Sequence, residues 1–150
     1  MQSSIGNVIW SDDDRYLLFT SFVEKTGNKL IQMPKKPKGA KWNEPPIEID
    51  DMVYRYDGGG FRRPGSTQIF VLSSEGGTPR QVSELNKNIR SIEWMSNDKV
   101  LFSANLSENS DFEPSNSDIY SLDVPSGEIK KLTERFGPDY APKVSPDKKY

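Results

Sequence analysis

Two stretches of the chain repeat one another at a fixed distance, and this repeat restricts the fold more than any other feature. Residues 66–84 align without a gap with residues 116–134, at an offset of 50 residues. The matched pairs are Ile69 and Ile119, Phe70 and Tyr120, Leu72 and Leu122, Gly77 and Gly127, Val82 and Leu132, and Glu84 and Glu134. A fixed period of this size indicates an architecture built from repeated supersecondary units.

A second motif, the end of an apolar stretch followed by a polar turn, occurs three times. Residues 92–100 match residues 142–150 at the same offset of 50, and residues 8–16 match residues 92–100 at an offset of 84. The unit is therefore about 50 residues long, with roughly 34 extra residues in its first copy. An insertion over residues 34–66 accounts for this excess.

Each unit predicts four short antiparallel strands. The first ends at Trp10, Trp94 or Val144, and Asp, Asn, Ser and Pro then favour a tight turn. The remaining strands are predicted at 16–19 and 100–102, at 69–72 and 119–122, and, after a glycine-containing turn, at 80–82 and 130–132. Radial repetition of four-stranded sheets protects their edges in a β-propeller. A β-sandwich contains similar hairpins, but it gives no reason for two motifs to repeat at one offset.

We therefore predict an all-β fold, a β-propeller portion with four-stranded antiparallel blades. The first blade covers about residues 5–84 with the insertion at 34–66, the second covers about 89–134, and a third begins at about 139–150. Because the third copy ends within a predicted strand, we expect the sequence to be part of a longer protein. Trp10 and Trp94 recur at one position of the unit, which predicts packing in the core between blades.

The composition narrows the possible functions. The formal net charge of −2 argues against a nucleic-acid surface, and no apolar run is long enough to span a bilayer. Residues 1–4 lack the basic start of a signal peptide, so a cytoplasmic location is expected. Cysteine and histidine are both absent, which excludes a disulfide framework and any Ser-His-Asp or Cys-His site made by this sequence alone.

A resemblance to a known family lies in the segment from Ile49 to Leu72. Residues 54–61, YRYDGGGF, resemble the YRFDG-x-GF stretch in the propeller of the prolyl oligopeptidase family, in its acylaminoacyl-peptidase and dipeptidyl-aminopeptidase branch. The turn motif resembles the WSPDG-type repeat of TolB-like propellers, although it is incomplete in every copy and Val144 replaces the tryptophan in the third. The resemblance covers the chain from about Val8 onward.

This resemblance implies a serine peptidase that cleaves short peptides or acyl-peptides. In that family the propeller restricts access to an α/β-hydrolase domain, whose Ser lies in a G-x-S-x-G motif and is followed by Asp and His. The present sequence has neither that motif nor a histidine, so no catalytic residue is assigned to it. The implied partners are the hydrolase domain of the same parent chain and a short peptide. The resemblance implies no cofactor, nucleic acid or membrane, and assembly with further copies stays open.

Arg55, Asp57, Phe61 and Arg62 are the candidate residues for the substrate cavity or the interface with the hydrolase domain. The alternative to a functional role is that residues 57–61 form only a turn. They lack the G-x-x-x-x-G-K-[ST] pattern of a phosphate-binding loop. The loop at residues 108–116 could likewise reach the cavity, or be an ordinary exposed loop.

Two charged stretches are better interpreted as solvated loops. Residues 12–14 are three aspartates, but they lack the glycine and distal glutamate of an EF-hand calcium loop. Residues 34–42 are basic with one tryptophan, which is short for a nucleic-acid patch. No metal site is predicted.

Two other functions remain open. One is a TolB-like propeller without catalytic activity that binds protein partners. The other is a propeller enzyme with its site in the central channel. The lack of histidine and of clustered carboxylates counts against the channel enzyme.

Overall fold

The computed structural model describes residues 4–25, 34–43, 49 and 52–150. Residues 1–3, 26–33, 44–48 and 50–51 lie outside the described part, and these include the start of the chain and part of the predicted insertion. The described residues form ten β-strands and contain no helix. The all-β prediction is therefore confirmed for the described part of the chain.

Eight of the strands form two four-stranded antiparallel sheets. The first sheet contains β1 (Ile5–Trp10), β2 (Tyr16–Glu24), β5 (Gly65–Ser73) and β6 (Arg80–Gln81), in that spatial order. The second contains β7 (Ile89–Ser96), β8 (Lys99–Ala104), β9 (Asp118–Asp123) and β10 (Ile129–Lys131), also in chain order. The short strands β3 (Arg55–Tyr56) and β4 (Gly60–Phe61) pair separately between β2 and β5.

The two sheets share equivalent hydrogen bonds at the sequence offset of 50. In the first sheet the Ser83 hydroxyl accepts a hydrogen bond from the Ile69 amide at 2.8 Å. In the second, the Thr133 hydroxyl accepts one from the Ile119 amide at 3.0 Å. A hydroxyl thus continues the pairing beyond the short last strand of each sheet.

Each of these hydroxyls also meets a buried polar side chain. Ser83 donates to the carboxamide of Gln68, which is 2% exposed and also bonds to the backbone of Leu85. The equivalent Thr133 donates to the carboxylate of buried Asp118. Lys131 lies 2.8 Å from the same carboxylate, and this hydrogen bond raises the pKa of Lys131. Both sheets thus satisfy a buried polar group at the same position, as burial requires.

The polar turn keeps its geometry in the first and third copies of the motif. In the first copy Ser11 donates to Asp13 at 2.7 Å and accepts from the Tyr16 amide at 2.9 Å. In the third, Ser145 bonds to Asp147 and Tyr150 at the same two distances.

The middle copy differs from the sequence alignment. Trp10 pairs with Leu17 across the first turn, whereas Trp94 pairs with Val100 across a turn one residue shorter. The second turn consists of Asn97 and Asp98 and adjoins an irregular register between Trp94 and Ser96. The gapless match of residues 8–16 with 92–100 is therefore wrong by one residue beyond the turn. Residues 141–145, where the first strand of the third copy was predicted to end, form no strand.

A single core cluster joins the two sheets. Leu18, Ile69 and Val71 of the first sheet belong to it, together with Ile92 and Trp94 of the second. Further buried members are Val82, Ile89, Val100, Phe102, Ala104, Tyr120, Leu122 and Val124. The sheets consequently pack as one body.

The two tryptophans of the repeat have different surroundings. Trp94 is 5% exposed, and its indole N–H donates to the carbonyl of Ile9 on the first sheet at 3.4 Å. Trp10, which was expected to pack in the same way, is 52% exposed. It lies on the edge strand β1, and among the described residues nothing covers it as the first sheet covers Trp94.

Candidate binding site

The glycine-rich segment forms a small hairpin. Arg55 pairs with Phe61 and Tyr56 with Gly60, and the amide of Gly59 donates to the carbonyl of Tyr56 at 3.1 Å. Gly60 and its neighbour in the turn at position 58 have φ of 73° and 77°, in the left-handed region that glycine adopts without a steric penalty. The glycines therefore close a tight turn.

Arg62 is fixed by the backbone at the base of this hairpin. Its amide donates to the carbonyl of Tyr54 at 2.8 Å, and its guanidinium donates to the carbonyl of Val53 at 2.9 Å. The guanidinium also lies 5.8 Å from the centre of the Tyr56 ring, within the range of a cation–π interaction. The rings of Tyr54 and Phe61 stack with their centres 6.2 Å apart.

A cleft of about 170 Å³ opens beside the hairpin. One wall is the hairpin with Tyr56 and Arg62. The second is the segment 86–90, which includes the end of the connection between the sheets and the start of β7, and the third is the loop between β8 and β9. A neighbouring hollow of about 470 Å³ shares Tyr56, Arg62 and Asn88 with it. The cleft therefore lies where the insertion meets both sheets.

Hydrogen bonds hold the cleft walls in place. The Asn88 carboxamide accepts from the Thr67 amide at 2.8 Å, which ties the joining segment to β5. Asn105 donates to the carbonyl of Glu113 at 2.7 Å and accepts from the amide of Ser107, which closes the β8–β9 loop on itself.

Of the four residues proposed from the sequence, only Arg62 lines this cleft. Phe61 is 51% exposed and packs on Tyr54. Arg55 and Asp57 are exposed on the hairpin and its turn. The structure brings the four residues into one hairpin but not into one site.

Several residues of the cleft were not singled out in the sequence, among them Lys87, Arg90 and Ser110. Lys87 lies in the segment between the sheets and Arg90 lies at the start of β7, and no local motif marks either residue. Ser110 lies in the loop at 108–116, which was considered as able to reach a cavity. The predicted loop therefore contributes to the cleft, but its role could not be assigned to a particular side chain.

The described residues contain neither a cluster of metal-ligating side chains nor a helix that could span a membrane. No group of three His, Cys, Asp or Glu side chains among the described residues could hold a metal ion. Nowhere in the described segments is there a helix with the length and apolar character that a membrane crossing requires.

Comparison with protein families finds no matching family, and comparison with curated proteins finds no significant match.

Proposed function

We propose that the two sheets are consecutive blades of a β-propeller. Their equal strand order and equivalent hydrogen bonds support this proposal, as does the contact between their first strands. Asn7 of β1 donates to the carbonyl of Arg90 of β7 at 2.9 Å. The third copy of the motif lies beside β7 as well, since the amide of Ala141 donates to Ser91 at 3.0 Å. In a propeller the first strands of successive blades lie side by side around the central axis, and the three copies of the motif follow this order.

We further propose that this propeller belongs to a cytoplasmic serine peptidase of the prolyl oligopeptidase family. Its role would be to admit short peptides or acyl-peptides to an α/β-hydrolase domain of the same parent chain and to exclude folded proteins. The observation that carries this proposal is the YRYDGGGF segment, which forms a compact aromatic and basic hairpin beside a cleft. Catalysis would come from the Ser, His and Asp of the hydrolase domain.

The test uses the complete open reading frame that encodes this chain. Its product is incubated with a chromogenic acyl-amino-acid or short-peptide substrate and with a serine-directed fluorophosphonate. We expect turnover and covalent labelling for the complete product, and neither for the 150-residue chain. Turnover by the 150-residue chain itself, or no turnover and no labelling by the complete product, would contradict the proposal.

The alternative is a propeller without catalytic activity that binds a protein partner. It is favoured by three strongly exposed aromatic side chains, Phe112 at 75%, Phe136 at 80% and Tyr140 at 70% exposure. Aromatic residues are enriched at protein interfaces relative to the rest of the surface. Absence of fluorophosphonate labelling, together with partner binding that Phe136→Ser abolishes, would favour this alternative.

A further inference from the structure

The cleft beside the hairpin has a positive charge in a chain that is slightly acidic overall. It is lined by Arg62, Lys87 and Arg90 and by one carboxylate, Asp111, which leaves a formal charge of +2. The whole chain has a net charge of −2. Like charges gathered in a concave site raise the local concentration of counter-ions.

Two of the three cations of the cleft have no carboxylate partner among the described residues. The third, Lys87, lies 3.5 Å from Asp111 and pairs with it. No carboxylate among the described residues lies within ion-pair distance of Arg62 or Arg90. The guanidinium of Arg62 is nevertheless held in place by the carbonyl of Val53. The cleft thus offers positioned donors without a matching anion.

A second, independent observation comes from Ser110. Its side chain lines the cleft and is 8% exposed, yet its hydroxyl has no hydrogen-bond partner among the described residues. Buried hydroxyl groups without a partner are uncommon in folded proteins, because burial then costs the group its hydrogen bonds with water. The oxygen is covered in this structure, and rotation of the Ser110 side chain about χ1 would let its hydroxyl donate to a ligand in the cleft.

We infer that the cleft binds a small oxyanion, a carboxylate or phosphate group. Arg90 and Lys87 supply the attraction, Arg62 supplies a guanidinium in a fixed position, and Ser110 donates to an oxygen. Guanidinium groups favour such ligands because their N–H groups match two oxygens at once. The inference does not depend on the peptidase proposal, since anion binding by the 150-residue chain is measured without any hydrolysis.

The experiment is a titration of the isotope-labelled 150-residue chain, followed by amide chemical shifts. Three probes are added separately at constant ionic strength: inorganic phosphate, an N-acetylated tripeptide with a free carboxylate, and the C-terminal amide of that tripeptide. We expect saturable shifts confined to residues 53–62, 86–90 and 105–114 with phosphate or the free acid, and none with the amide.

The probes distinguish the two sources of the oxyanion. Binding of the peptide acid without its amide identifies a peptide carboxylate, and binding of phosphate alone identifies a phosphate group. Either result supports an oxyanion site. Shifts with the amide equal to those with the acid, or no saturable shifts with phosphate and acid, would overturn the inference.

Variants test whether the named residues form the site. Arg90→Gln and Lys87→Gln should each weaken binding by about two- to fivefold, as expected for partly exposed ion pairs. Ser110→Ala should weaken it about tenfold or more, because it removes a donor to a charged group. The matched control is Lys130→Gln, an exposed cation on β10 that does not line the cleft. If the cleft variants bind as tightly as Lys130→Gln, the site is not in the cleft.

Discussion

Gly65 lies at the start of β5, where that strand comes very close to the end of β2. Its φ is 143°, a conformation that residues with a side chain rarely adopt. A Cβ atom at this position would stand 2.7 Å from the ring of Phe22 and would collide with the carbonyl of Val23. The glycine therefore allows the long β2–β5 pairing to extend to its last pair, Glu24 with Gly65.

We expect Gly65→Ala to destabilise the chain by at least about 2 kcal/mol, because it adds both backbone strain and an overlap with backbone atoms. The measurement is the free energy of unfolding from urea titrations. Gly59→Ala is the control, since a Cβ there meets only ordinary contacts with Tyr56 at 3.5 Å or more. It should change the free energy by less than about 0.5 kcal/mol. Equal losses for the two variants would argue against this role of Gly65.

The difference between the two repeated tryptophans gives a second prediction. Trp94→Ala should lower the free energy of unfolding by about 3–5 kcal/mol, since it empties a buried position and removes the hydrogen bond to Ile9. Trp10→Ala should cost less than about 1 kcal/mol in the same chain, because the side chain is half exposed. Far-UV circular dichroism during urea unfolding measures both without relying on tryptophan fluorescence. A loss for Trp10→Ala as large as that for Trp94→Ala would contradict this reading.

At the scale of elements, the Ser-Asp turns make part of the stability depend on pH. The hydroxyl of Ser11 holds the pKa of Asp13 below its ordinary value of 3.8, and that of Ser145 does the same for Asp147. A carboxyl whose pKa is lowered by folding stabilises the folded state above the unfolded value. That contribution disappears as the pH falls below 3.8 through the folded pKa.

Ser11→Ala and Ser145→Ala should therefore each destabilise the chain more at pH values well above 3.8 than at values well below it. Urea unfolding of each variant and the parent at a series of pH values measures this difference. The control is Ser73→Ala, because the Ser73 hydroxyl accepts from the Glu75 amide and pairs with no carboxylate among the described residues. A destabilisation by Ser11→Ala that stays constant across that pH range would show that the carboxylate hydrogen bond contributes nothing.

The strands were predictable from the sequence because their causes are local. The signals that predict a strand act over a few positions: apolar residues at 69–72 and 119–122, and glycine at 77 and 127. Both copies of the repeat predict the same strands. The length of the middle turn was not predictable, because Ser96 and Asn97 are compatible with a turn of either length. Only the register of Trp94 with Val100 decides between them.

The cleft was predictable only in part, for a related reason. Arg62 belongs to a segment with a recognisable composition, so it could be proposed from the sequence. Lys87, Arg90 and Ser110 join it only through the packing of both sheets against the insertion. Charged and hydroxyl side chains of this kind are ordinary in surface loops, and no spacing marks them as neighbours.

At the scale of the whole molecule, the shared core predicts that the two sheets unfold together. Leu18 of β2 is fully buried in the cluster that also contains Trp94 and Phe102 of the second sheet. Loss of its side chain should destabilise the first sheet by about 2–5 kcal/mol and withdraw support from the second. We therefore expect Leu18→Ala to reduce amide hydrogen-exchange protection in β8 as strongly as in β5.

Hydrogen exchange of the parent chain and the variant, resolved by residue, tests this expectation. Val8→Ala is the matched control, because Val8 lies on β1 of the same sheet but is 58% exposed. It should leave protection in both sheets nearly unchanged. If Leu18→Ala lowered protection only in the first sheet, the sheets would be independent folding units joined by residues 82–88.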